Sequence, residues 1–481
     1  MVSFLMKQKR WFLYGLVAVF FASCQTYYSA NIEFNQAFQA GDFQKCEDWL
    51  EKHKPGKRSK EKFLYQSNLG MVRFILNKPE PSNEALENAF LLVEDFEKNP
   101  GEYAASLLTN PKRITYTGER FERLMINYLK ALNQFKSGNT EAALVETRRL
   151  IRRMNVLEEA KKDDYRTDGF MLWMIGQFFE AAGEINNAYI YYRKAHIAYE
   201  TVFAGLAKVQ EPQQLKMDLV RAAFASGFDE EARQFEAKFR TKNRIDPAGN
   251  GTVLLLWHKG LGPVKDEDRI SLSFVKGAGG QLSFENTEYG FAVPFVLPVG
   301  ESQSRFNDLK FITMALPKYL NRNAFWTGLS AKVGEERYGF QPATNFESIA
   351  KADLHDRMGR ELLTAVTRVA LKQTMQYAAT KATEAAVESG KGDRKKKAEQ
   401  AELAGSLVDL AFTIANAATE VADTRNWQTL PAQIEVLRVS LPPGRQIITL
   451  YGTGKDGKDF TQPVELEVKP GQTIFHTIHT F

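Results

Sequence analysis

The stretch from Glu119 to Glu159 constrains this chain more than any other. Apolar residues fall at Leu124, Tyr128, Ala131, Leu132 and Phe135, three or four apart, on one stripe of a helix. Ser137-Gly138-Asn139 interrupts the pattern, because glycine readily takes the positive φ that ends a helix. The stripe resumes at Ala142, Ala143, Val145 and Leu150. The spacing predicts a helical hairpin with alanines where two helices approach closely. One hairpin cannot bury its own apolar face, so it requires neighbours of the same kind.

Such neighbours are present. Phe34, Ala37, Phe38, Phe43 and Trp49 mark a first hairpin. A second runs from Phe63 through Phe74, breaks at Pro79 and Pro81, and returns through Ala85 to Phe96. Further hairpins are predicted over residues 170–199 and 215–239. Gly138, Gly183 and Gly227 recur at nearly even spacing, each followed by polar residues and then Ala142, Ala188 or Ala232. These features resemble tetratricopeptide repeats, at a spacing wider than their usual unit of about 34 residues. A generic helical bundle is the alternative.

Past Asp246-Pro247 the pattern changes to strands, at Thr252 to Trp257, Ile270 to Val275 and Phe291 to Leu297. Residues 307–343 are mixed and give no clear assignment. Helical periodicity returns from Phe346 to Val387 and again from Ala404 to Val421, around the polar turn Gly390 to Ala398. Small and large residues alternate there, as close antiparallel packing requires. Glu402, Asp409 and Glu420 argue against a transmembrane helix. Alternating stretches from Ala432 onward predict an antiparallel meander. The expected fold is therefore α+β: a tetratricopeptide-like helical-hairpin array (24–245), then an antiparallel β domain with an inserted long helical hairpin. Its parts would be a first β segment (246–343), the hairpin (344–424) and a β meander (425–481) joining the first sheet.

Residues 1–23 stand apart from that fold. Lys7, Lys9 and Arg10 precede an apolar run from Trp11 to Phe21, which ends in Ala22-Ser23-Cys24. A basic start, a run too short to span a bilayer and small residues at its end describe a signal peptide. The ending resembles the lipobox of bacterial lipoproteins, with Phe21 where that motif usually has Leu. The resemblance implies acylation of Cys24, and Gln25 in place of Asp implies the outer membrane. An ordinary secretory signal containing a cysteine is the alternative. The formal net charge of +5 loses three positive charges with this leader, so the basic balance gives no reason to expect nucleic acid. Only Cys46 then remains as a thiol, which excludes an internal disulfide; beside Trp49 in a helical pattern, it is expected in the core.

Motifs for chemistry are sparse. Gly452-Thr-Gly454-Lys-Asp-Gly457 has the GxGxxG spacing, but strands flank it on both sides, whereas a dinucleotide site needs a following helix. His476 and His479 would point to opposite faces of a strand, and His258 and His355 have no neighbouring ligands, so no metal and no cofactor are expected. Neither GxSxG nor HExxH occurs. Lys391, Arg394, Lys395, Lys396 and Lys397 form a basic turn suited to solvent or to an anionic polymer. Two segments are denser in special residues: Trp257 to Glu267, with Lys265, and Ala422 to Pro431, with Asp423, Arg425 and Trp427. Arg425 beside Asp423 and Trp427 permits a bidentate ion pair with a stacked ring. It serves either to fix the helix end to the sheet or to line a binding groove.

These segments also carry a resemblance. Gly262-Pro-Val-Lys265, Asp423 to Pro431 and Gly118 to Glu122 are similar to a family of uncharacterised bacterial lipoproteins with tetratricopeptide-like N-terminal halves, over roughly residues 115–450. The family has no established activity; its members look like envelope proteins, some near genes for activators of cell-wall synthases. The resemblance implies a periplasm-facing outer-membrane lipoprotein, held to the membrane by Cys24. It would be a non-enzymatic scaffold or assembly factor for an envelope protein partner in cell-wall, secretion or appendage biogenesis. Its concave surface would offer Tyr128, Trp173, Tyr189, Tyr192 and Arg193 as anchors. The alternative is an envelope enzyme or carbohydrate-binding protein using a cleft near Trp257, Lys265, Arg425 and Trp427. A surface-exposed lipoprotein binding external ligands is a third possibility.

Overall fold

The computed structural model describes residues 26–53, 59–98, 114–159, 168–243, 246–276, 282–286, 291–295, 311–359 and 421–481, with isolated positions between 362 and 387. The leader with Cys24, the basic turn at 391–397 and most of the long hairpin expected over 344–424 lie outside them.

The fold is α+β. Its helical half is a series of hairpins: α1 (Ile32–Gln39) with α2 (Phe43–His53), α3 (Lys62–Ile75) with α4 (Pro79–Glu97), and α5 (Arg120–Lys136) with α6 (Thr140–Glu159). Then follow α7 (Gly169–Ala181) with α8 (Ile185–Ala198), and α9 (Gln213–Ala225) with α10 (Asp229–Phe239). Gly138, Gly183 and Gly227 make the turns with φ of 72°, 80° and 81°. Pro79 is the first residue of α4, where its missing N–H costs nothing, so it starts a helix as well as ending the turn before it. α8 runs on through a π-helical turn (Tyr199–Phe203) and a last turn (Ala204–Ala207).

The β half begins with β1 (Gly251–Lys259), β2 (Val264–Lys276), β3 (Leu282–Asn286) and β4 (Phe291–Phe295). The stretch that sequence left unassigned supplies β5 (Phe311–Leu320), β6 (Trp326–Val333), β7 (Glu336–Gly339) and β8 (Gln341–Asn345), before helix α11 (346–359). β9 (Gln433–Leu441), β10 (Gly444–Gly454), β11 (Asp459–Val468) and β12 (Thr473–Thr480) follow. The sheet orders are β12-β1-β9-β8, β11-β10-β6-β7 and β4-β3-β2-β5. The final strands are thus not a meander. β10 and β11 pair with each other, while β9 and β12 flank β1, β12 in parallel. β1, whose unbroken Val253-Leu-Leu-Leu-Trp257 run is apolar on both faces, takes the interior of the sheet, where both its faces are covered and its backbone is paired on each edge.

Both faces of that central sheet are covered. Val253, Leu255 and Trp257 pack with Ile448, Leu450 and Val464 of the second sheet, forming a β-sandwich. Leu254 and Leu256 join the helical core. The covering helices are the first members of the hairpins. Phe38 of α1 meets Phe481 at 5.1 Å between ring centroids, and Phe74 of α3 meets His479 at 5.9 Å. Phe135 of α5 and Phe178 of α7 both contact Phe475, and the backbone N–H of Gln214 at the start of α9 donates to Gln341 Oε1 at 3.0 Å. The inner face of the array, expected to stand open for a partner, is filled by this chain's own sheet.

Candidate functional site

The segment 422–430 and the start of β2 meet the N-terminus of α5 and one side of α11 in a buried polar junction. Glu119 caps α5 and forms a capping box with Glu122. The Glu119 carboxylate accepts from Lys265 Nζ and from both terminal nitrogens of Arg357, Nη2 at 2.8 Å. Burial penalises its charge, yet Arg357 and Lys265 outweigh that and hold it well below the usual carboxylate range. Glu122 is fully buried. It accepts from the Tyr116 hydroxyl at 2.7 Å, from Glu119 N at 2.8 Å and from Trp427 N at 2.7 Å. Burial first, and the negative charge of Glu119 second, push its carboxyl up to about 7.

Arg425 makes the bidentate pair with Asp423 that the sequence allowed, both bonds at 2.8 Å. Its remaining terminal nitrogen donates to the carbonyls of Lys60 at 3.1 Å and Ile114 at 2.9 Å. The stacked ring belongs to Tyr116, 5.2 Å from the guanidinium carbon, and not to Trp427. Trp427 is buried edge-on to Phe63, its indole N–H donating to Thr429 Oγ1 at 2.8 Å. Asn426 donates to Pro263 O at 2.8 Å and accepts from Lys265 N at 3.3 Å, holding the β2 entry to the loop.

Lys265, Asp423, Arg425 and Trp427 therefore converge, and they converge in a closed interior. Lys265 and Arg425 retain 3% and 4% of their surface. The Arg425 donors described above are committed to groups of this chain. Trp257 stands elsewhere, inside the sandwich on the opposite face of the central sheet, donating to Thr480 Oγ1 at 2.8 Å. Among the described residues, Trp257 therefore shares no cleft with the other four. The junction's chemistry is cohesion: it ties α5, β2, α11 and the 422–430 segment into one body.

A second junction escaped the sequence. Arg438 of β9 bonds Glu180 of α7 at 2.9 Å and Asp218 of α9 at 3.4 Å. Arg221 joins both carboxylates, at 2.7 and 3.1 Å. Trp173 and Gln177 donate to Asp218 at 3.0 and 2.6 Å, and the Tyr192 hydroxyl donates to Glu180 at 2.6 Å. Three of the expected partner anchors are thereby explained as interior residues: Tyr128, Trp173 and Tyr192 are fully buried. Tyr189 stacks on Phe228 at 4.9 Å, and Arg193 pairs with Glu231 at 3.4 Å on the surface. Polar residues at inward positions of α7 and α9 were the available signal.

His258 and His479 lie side by side across the parallel β1–β12 pair, ring centroids 4.7 Å apart. The Tyr128 hydroxyl meets His258 Nε2 at 3.1 Å. Among the described residues no group of three or more His, Cys, Asp or Glu is placed to hold a metal ion. The GxGxxG stretch is the β10–β11 hairpin turn. Cys46 is buried, and burial pushes its thiol up to about 12. An open cleft of about 870 Å³ lies between the end of α8 and α11, bordered by Val202, Lys208, Asn321, Glu347, Lys351 and His355.

No protein-family model matches the chain, and no curated protein matches it in sequence. Among solved structures it is similar over its helical share to MamA, at 14% identity and a TM-score of 0.28, covering 43% of this chain and 92% of that one. It is similar at 16% identity and 0.31 to the Podosopora anserina kinesin light chain of nearly identical TPR-like repeats, covering 44% and 92%. A Rap protein complexed with competence and sporulation factor gives 15% and 0.29, covering 44% and 52%. Likenesses this slight leave the repeat character to rest on the hairpins themselves.

Proposed function

We propose that this chain is a lipid-anchored protein-binding scaffold or assembly factor of the bacterial envelope. Acylated Cys24 holds it in the outer membrane facing the periplasm, and it acts in cell-wall, secretion or appendage biogenesis. One observation carries the scaffold role. The first helices of the hairpins are sealed by the β half, while the second helices carry exposed aliphatic side chains: Leu91 on α4, Val145 and Val156 on α6, Ile190 and Ile197 on α8. A hairpin array braced by buried ion networks on one side presents a fixed apolar-studded surface on the other. The envelope placement draws on the leader and on the resemblance to envelope lipoproteins. No helix among the described residues is long and apolar enough to cross a membrane, which is consistent with attachment through Cys24.

The test is a crosslinked pull-down from membranes comparing wild type, Cys24→Ala and Ile190→Glu/Ile197→Glu. An envelope protein captured by wild type and lost from both variants supports the proposal. Membrane retention and the same captured proteins in Cys24→Ala would sink the anchor, and capture unchanged in the glutamate variant would sink the outer face.

A further inference from the structure

Residues 27–31 are part of the folded body. Thr26 caps a single helical turn (Tyr27–Ala30), its hydroxyl accepting from Ser29 N at 3.2 Å. Tyr27 is buried, and its backbone N–H donates to Thr424 Oγ1 at 3.2 Å. Asn35 Nδ2 donates to Gln428 Oε1 at 2.9 Å and to Tyr28 O at 3.2 Å. The Arg322 guanidinium lies 6.0 Å from the Tyr28 ring centroid and donates to the carbonyls of Gly262, at 2.7 Å, and Gln428. The first turn is thus stitched to the 422–428 segment and to the β5–β6 turn.

Cys24 precedes Thr26 by two residues, and an extended chain spans at most about 3.6 Å per residue. The sulfur-bearing residue is therefore confined to within about 7 Å of Thr26, whatever path the two residues take. A Gly/Ser tether of about thirty residues would instead let the body roam about 30 Å from its anchor. The surface beside the attachment point suits a bilayer. Ile32, four residues beyond Tyr28, and Leu320, two residues before Arg322, are exposed at 42% and 43%, and Tyr28 is half-buried beside Arg322. The cleft rim, which includes Asn321, adds exposed Val202, with Lys208 and Lys351 balanced in charge by Glu347 and Asp356. Tyrosine favours the headgroup level and aliphatic side chains the acyl boundary.

We propose that this face docks directly on the phospholipid surface that takes the acyl chains of Cys24, so that the body has one fixed orientation instead of swinging on a tether. The docking presupposes the acylation proposed above. It also sets what points away. Gly262, held by Arg322, lies just beyond the end of β1, and the nine residues of that strand carry the chain to its other end at Asn250 and the Gly471 turn, about 30 Å off.

The orientation is read by site-specific labelling. Thiol-reactive fluorophores are placed on Asn323→Cys, near the patch, or Lys469→Cys, at the far end of β1, both exposed positions. Cys46 does not compete, being buried with an unreactive thiol. The acylated proteins are reconstituted in phosphatidylethanolamine–phosphatidylglycerol vesicles carrying a headgroup-linked quencher. Docking predicts quenching at Asn323→Cys at least threefold stronger than at Lys469→Cys. A linker of about fifteen Gly/Ser residues inserted after Gln25 should bring that ratio towards one. Equal quenching at the two positions in protein shown by mass to be acylated overturns the docking and leaves the anchor standing. Absence of acyl chains on Cys24 overturns both.

Discussion

Arg438 reaches from the central sheet to Glu180 on α7, 2.9 Å away, and through this pair the β half is locked into the inner face of the helical array. Both side chains are nearly buried, so their worth lies in mutual compensation more than in net attraction. Arg438→Ala leaves Glu180 and Asp218 with Arg221 alone and should cost about 3–5 kcal/mol. The change is read as a drop in the urea midpoint, with new proteolytic cleavage between the helical and β halves. An unchanged midpoint would mean that the pair does not bind the halves together.

Arg425→Lys tests the other junction. Lysine keeps the charge but loses the two-pronged geometry with Asp423 and at least one of the carbonyls of Lys60 and Ile114. A loss of about 2–4 kcal/mol is expected, since breaking a buried charged network usually costs that much. Hydrogen exchange should quicken locally at residues 114–119 and 59–61. Exchange unchanged there would show that Arg425 does not hold those segments.

Acid should weaken the fold through the imidazole pair. Burial holds His258 down to about 3 from its ordinary 6.5, and burial together with His258 pushes His479 well below that value. Between pH 6.5 and about 3 the unfolded chain takes up protons that the folded one refuses, so stability present above 6.5 falls as pH drops through that window. His258→Phe/Tyr128→Phe removes one imidazole together with the hydroxyl that faces it. The double variant should show a shallower dependence of the urea midpoint on pH between 4 and 6.5 than wild type. An equally steep dependence would assign the acid sensitivity to carboxylates alone.

Gly118→Ala should be far more damaging than Gly227→Ala. Both glycines have positive φ, 84° and 81°, which costs an alanine about 1 kcal/mol or somewhat more. At Gly118 a Cβ would in addition stand 2.5 Å from the Phe63 ring, while at Gly227 nothing lies within 4 Å. Overpacking adds about 1–3 kcal/mol. Thermal unfolding of the two variants should therefore differ by several degrees, with Gly118→Ala the lower. Equal melting temperatures would mean that Phe63 moves aside without cost.

The hairpins were legible because their signal is local: a stripe repeating every three or four residues, and a glycine where the helix must turn. The β1 run was legible for the same reason. What joins them was not. Arg438, Glu180 and Asp218 are far apart along the chain, and no periodicity announces that a charge on a strand will meet two carboxylates on different helices. The motif Asp423-Thr-Arg-Asn-Trp427 stood out correctly as dense, yet density alone did not distinguish a closed junction from an open groove. Burial decides that, and burial depends on Tyr116, Lys60 and Ile114, which sequence places three hundred residues away. The parallel pairing of β12 with β1 was hidden likewise, because alternation within a strand carries no information about its neighbour.

That last pairing bears on how the chain reaches its native state. β12 follows every other strand, yet it lies beside β1, and Phe481 packs against Phe38 and Phe43 in the first hairpin. Contacts between the two extremes of a long chain are slow to form, and here the inner side of the hairpin array stays uncovered until they do. The export proposed for this chain would gain from such an arrangement. On that proposal, topology delays closure until the tail has crossed, and the same delay leaves apolar surface exposed in the meantime.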